Sequence, residues 1–167
     1  MSSDVTLLCL DVDGVLTDGG IHIDDHGVET KRFHVRDGAG IRMWRRLGGE
    51  VAVITGRRSG SLRHRLAELG VRHVVQGAGH KGEALEELCA ELRVEPRRCA
   101  MIGDDLPDLP ALRVCGYPMA VFDAAAEVKA LAQFVTVRPG GVGAVREAIE
   151  HLLRAQGRWA EALALWE

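Results

Sequence analysis

The chain has 167 residues, 47% of them apolar and 27% charged, with a formal net charge of -3 at pH 7. That length suits one domain with a core of its own, and the acidic balance argues against a nucleic-acid surface. No apolar run approaches the roughly 20 residues of a membrane span; the N-terminal one, Val5 to Leu10, meets an acid at once, unlike a signal peptide, so a cytoplasmic protein with no membrane partner is expected.

The first predicted strand is "VTLLCL" (5–10), which ends on Asp11 and Asp13. Next, "GIHIDDHGVETKRFHV" spaces Ile21, Ile23, Val28 and Phe33 around Asp25-His26-Gly27, which predicts a β-hairpin inserted over about 20–34. Its alternating apolar residues invite pairing with another subunit. A helix is predicted over 41–47, then a strand at 50–55. Ser59 is a candidate cap for a helix that runs to Leu69 and stops at Gly70. A strand at 72–76 precedes a helix over 81–92, whose Ala84, Leu85, Leu88 and Leu92 share one face. Strands at 98–103, 117–122 and 133–137 then alternate with helices at 106–114 and 124–132, and a helix over 142–153 closes the pattern.

Short, continuously apolar strands alternating with helices predict a doubly wound, mostly parallel, Rossmann-like α/β sheet in one domain, 1–154. The tail, 155–167, with Trp159 and Trp166, is either a frayed extension or an arm that docks on a neighbour. Cys9, Cys89, Cys99 and Cys115 lack C-x-x-C spacing and read as small core residues in a reducing compartment.

In an open parallel sheet, ligands bind beyond the C-terminal strand ends. At those ends stand Asp11 and Asp13; Thr55, Gly56 and Arg57; Lys81; and Gly103, Asp104 and Asp105, with Asp108 behind. Carboxylates, one hydroxyl and one ammonium suit a phosphate held by Mg²⁺, which prefers oxygen ligands. Asp11 and Asp13 project to one side of an extended backbone. One can attack phosphorus while the other handles a proton.

"DVDGVLTDG", "ITGR", Lys81 and "GDDLPD", in that order, resemble the four motifs of the haloacid dehalogenase superfamily of phosphatases. "FHVRDGAGIR", "ITGRRSGSLRHRLAELGV", "VVQG", "GDDLPDLPAL" and "GGVGAVREAIEHLLRAQG" are similar to its 3-deoxy-D-manno-octulosonate 8-phosphate phosphatases. The resemblance implies a haloacid dehalogenase-type fold with an inserted hairpin and no large cap domain. It implies Asp11 as nucleophile and Mg²⁺ ligand, Asp13 as a ligand through its carbonyl and as acid and base, and Asp104 as the third ligand. Thr55 and Lys81 would hold the phosphate, and Asp105 and Asp108 would orient water on the metal. Asp13, Lys81, His34, Val35, Arg36, Asp37, Gly38, Arg42, Arg57 and Arg65 match substrate-contacting positions. Arginine suits a sugar-acid carboxylate.

The implied reaction is hydrolysis of 3-deoxy-D-manno-octulosonate 8-phosphate, a step of lipopolysaccharide precursor synthesis, by a homotetramer built through the hairpin. Phosphatases for nine-carbon keto acids, which tend to carry glutamate where Arg57 stands, are the nearest alternative. A phosphorelay receiver module also uses acids, Thr, Lys and Mg²⁺, but in another order along the chain. An inactive scaffold is opposed by the intact motif residues.

Overall fold

The computed structural model describes residues 2–167. The first strand is β1 (Leu7–Leu10), and the hairpin strands are β2 (His22–Ile23) and β3 (Glu29–Thr30). The chain continues through α1 (Val35–Arg46), β4 (Glu50–Thr55), α2 (Gly60–Leu69), β5 (His73–Gln76), α3 (Lys81–Leu92) and β6 (Cys99–Gly103). It ends with α4 (Leu109–Val114), β7 (Tyr117–Ala120), α5 (Ala126–Leu131), β8 (Phe134–Val135), α6 (Ala144–Ala155) and α7 (Trp159–Ala164).

Six strands form a parallel sheet in the order β5-β4-β1-β6-β7-β8, with β1 central. Leu7, Leu8, Cys9 and Leu10 are wholly buried, as a strand covered on both faces requires. Strand order reverses at β1, so the crevice beyond its C-terminal end lies between β4 and β6. Helices α1 and α6 pack together on the sheet, as do α3 and α4. All four cysteines are buried and free, as the core reading expects.

The predicted caps of α2 are present: Ser59 Oγ accepts the Leu62 N–H, and Gly70 is left-handed with φ 72°. Helix α1 starts six residues before the expected 41. Gly38 and Gly40 concealed it, because glycine lowers helix propensity. Both serve packing: a Cβ on Gly38 would strike the Arg65 guanidinium, and one on Gly40 would crowd Arg146 of α6. The segment expected as one helix over 106–114 is a 3-10 turn, Leu106–Asp108, followed by α4.

The hairpin is shorter than its alternation suggests, with two residues in each strand. Its turn is set by Asp24, whose Oδ1 accepts the N–H groups of His26 at 2.9 Å and Val28 at 2.8 Å. Ile21, Ile23 and Val28 are more than half exposed. The tail is ordered as α7 against α6: Ala162 is fully buried, and Trp159 and Leu165 pack on the core.

Candidate active site

After β1 the backbone turns on Val12, whose carbonyl accepts the N–H groups of Val15, Leu16 and Thr17. Gly14 makes the turn possible, with φ 94°. A Cβ there would collide with the Asp104 carboxylate, so only glycine lets the loop after β6 approach the loop after β1. The β1 loop is buttressed from far along the chain, where Gly141 N–H donates to the Val15 carbonyl at 2.9 Å.

A cleft of about 280 Å³ opens at these strand ends, lined by Asp11, Asp13, Thr55, Gly56, Arg57, Lys81, Asp104, Asp105, Pro107 and Asp108. Lys81, the first residue of α3, reaches in from its helix. Its Nζ lies 2.6 Å from Asp11 Oδ1 and 2.6 Å from Asp108 Oδ1. Burial pulls the ammonium down, but Asp11 and Asp108 outweigh it and hold its pKa above the usual lysine value. The other Asp108 oxygen accepts the N–H groups of Asp104 at 2.9 Å and Asp105 at 3.3 Å.

Oxygens of Asp11, Asp104 and Asp108 lie within 4.8 Å of one another. Burial, then Asp108, pushes the Asp11 carboxyl up to about 6 against the opposing pull of Lys81. Burial, then Asp11 and Asp108, pushes Asp104 up to about 8. Three acids gather here with one ammonium, which pairs with Asp11 and Asp108, and the surplus of acids with an oxygen-only donor set fits a hard divalent cation such as Mg²⁺.

Of the residues singled out by sequence, Asp11, Asp13, Thr55, Arg57, Lys81 and Asp104 meet in this cleft. The Asp13 side chain is not part of this carboxylate group and pairs with Lys31 of the hairpin. Asp108, expected to orient water on the metal, pairs with Lys81. His34, Val35, Arg36, Asp37, Gly38, Arg42 and Arg65 lie outside the cleft lining. His34 caps α1 by accepting the Arg36 N–H at 3.3 Å. Arg42 and Arg65 both pair with Glu68, and Val35 is exposed.

Asp37 is committed elsewhere. It is buried, and its carboxylate accepts the Gly143 N–H at 3.2 Å and the Arg146 N–H at 2.8 Å, capping α6 from the first turn of α1. Burial raises its pKa against these two donors. Lys31 and Glu29 were missed. Their signal was two charged residues spaced two apart in the hairpin, beside acids across the turn.

Residues 29–116 match the haloacid dehalogenase-like hydrolase family. Over 161 residues the chain is 44% identical to 3-deoxy-D-manno-octulosonate 8-phosphate phosphatase of Escherichia coli K12, covering 96% of this chain and 86% of that one. The chain belongs to the 3-deoxy-D-manno-octulosonate 8-phosphate phosphatase family of haloacid dehalogenase-like hydrolases. Solved structures of this phosphatase family superpose closely. The Moraxella catarrhalis enzyme, in complex with a magnesium ion, a phosphate ion and a KDO molecule, gives a TM-score of 0.96 at 40% identity, covering 99% of this chain and 95% of that one. The cobalt-bound Haemophilus influenzae phosphatase gives 0.93 at 40% identity, with 98% of each chain covered. Membership among these hydrolases sets aside the receiver-module reading. No described helix is long and apolar enough to cross a membrane.

Proposed function

We propose that this protein hydrolyses 3-deoxy-D-manno-octulosonate 8-phosphate to the free sugar acid and phosphate, with Asp11 as the covalent nucleophile. The observation that carries this reading is the Asp11 carboxylate at the end of β1, in one cleft with Asp13, Asp104 and Lys81.

Asp11 attacks phosphorus, and the bond from phosphorus to the sugar oxygen breaks. Asp13 gives its proton to that oxygen as it leaves. Asp13 then takes a proton from the water that attacks the aspartyl-phosphate, which frees phosphate and restores Asp11. Lys81 and the Thr55 hydroxyl hold the phosphoryl oxygens. Mg²⁺ bound by Asp11, the Asp13 carbonyl and Asp104 would supply the positive charge that lets one anion approach another.

Arg57, which lines the cleft, supports the eight-carbon substrate, since phosphatases for nine-carbon keto acids tend to carry glutamate in its place. The exposed hairpin residues Ile21, Ile23 and Val28 support a homotetramer. In it, a neighbour would help to close the cleft. A cytoplasmic role in lipopolysaccharide precursor synthesis follows from that substrate.

The test is phosphate release with Mg²⁺ from the eight- and nine-carbon keto acid phosphates, with Asp11→Asn as the blank. Turnover of the eight-carbon compound at higher kcat/KM, lost in the blank, is expected. Preference for the nine-carbon compound would overturn the substrate, and an active blank would overturn the mechanism.

A further inference from the structure

The β2–β3 hairpin has no core of its own, and most of its residues are exposed. Lys31 stands apart, with its side chain 3% exposed. A lysine that well enclosed must be paired, because an unpaired ammonium out of water is costly. Its partner is Asp13, to whose Oδ1 the ammonium donates a hydrogen bond. Glu29 Oε1 is 3.1 Å from the same nitrogen, yet that oxygen is buried and has no hydrogen-bond partner. The ammonium therefore donates to Asp13, with Glu29 as a flanking counter-charge. Arg57 closes the ring: it pairs with Glu29, and its Nε stands 3.9 Å from Asp13 Oδ2.

The Asp13 carboxylate thus has a cation on each oxygen. Among the described residues it has one side-chain hydrogen bond, the one from Lys31. Asp13 itself sits in the turn after β1. We propose that Lys31 is a positioning residue for the acid–base step, holding the Asp13 carboxylate in place from the inserted hairpin. The inference rests on the phosphatase reading and on Asp13 as its proton carrier. A base held about 1 Å off its reacting oxygen loses much of its effect, so the hairpin becomes part of the catalytic apparatus through one side chain.

The test compares Lys31→Met and Lys31→Arg with wild type on two substrates under saturating Mg²⁺. The octulosonate 8-phosphate has an alkoxide leaving group that needs a proton, whereas p-nitrophenyl phosphate has one that does not. For Lys31→Met, kcat on the sugar phosphate should fall by about tenfold or more beyond any fall in the first-step rate on p-nitrophenyl phosphate. KM should change little, and p-nitrophenol should appear in a burst, because hydrolysis of the aspartyl-phosphate still needs Asp13. Lys31→Arg, which keeps the charge, should recover part of the loss. Equal losses on both substrates, or no loss, would overturn the inference, as would full activity in Lys31→Met with no burst. Wild type inactive on the sugar phosphate but active on p-nitrophenyl phosphate would count against the substrate reading alone. In that case glycerol 2-phosphate, another alkoxide ester, takes its place in the same comparison.

Discussion

Lys81 Nζ stands 2.6 Å from Asp11 Oδ1 although 70 residues separate them in the chain. The contact joins the first turn of α3 to the end of β1 and puts the proposed nucleophile beside its counter-ion.

Lys81→Met removes the ammonium that Asp11 and Asp108 share and leaves two buried carboxylates facing each other. Breaking a buried pair in this way is expected to destabilise the fold by about 3 kcal/mol near pH 8. The loss should shrink near pH 5, where a carboxyl takes up a proton. Urea denaturation at the two pH values, without metal, measures both.

Stability without metal should fall as pH rises from about 4 to about 8. Asp11 and Asp104 hold protons up to about 6 and about 8 in the folded chain, above their ordinary carboxyl values. The folded state therefore binds more protons than the unfolded one, and the slope of stability against pH is negative across that window. Added Mg²⁺ should raise the melting temperature most at the upper end, where its ligands are ionised. A thermal melt series with and without Mg²⁺ reads the sign directly.

Gly14→Ala forces a side chain onto a residue with φ 94° and drives its Cβ into the Asp104 carboxylate. The backbone strain alone is worth about 1–3 kcal/mol. Displacement of Asp104 should weaken Mg²⁺ binding as well, visible by calorimetric titration, whereas an unchanged Mg²⁺ affinity would contradict the close approach described here.

Asp37→Ala strips the cap from α6 and is expected to cost about 1 kcal/mol. Asp37→Asn keeps one acceptor and should cost less. Because this residue lies in a segment that matches substrate-contacting positions, a stability loss with KM unchanged would separate its capping duty from any contact with sugar.

The sheet was legible because β1, β4 and β6 are unbroken apolar runs that end on acids or a threonine, and burial on both faces leaves no other reading. Asp11, Asp13, Thr55 and Asp104 were legible for the same reason, since each stands at or just beyond the end of β1, β4 or β6, and Lys81 opens a helix of regular apolar spacing. What stayed hidden depends on contacts between segments far apart in sequence. The grip of Asp108 on Lys81 needs α3 and the loop after β6 to be docked. The capping of α6 by Asp37 spans 106 residues. Nothing local to Lys31 tells that Asp13 faces it. The early start of α1 was masked by two glycines whose purpose, room for Arg65 and Arg146, belongs to other helices.

The hydrogen bond from Gly141 to Val15 has a consequence for biosynthesis. The nucleophile loop leaves the ribosome well before its buttress, which follows it in the chain. A nascent chain can have β1 paired with β4 and still lack this buttress until residue 141 has emerged.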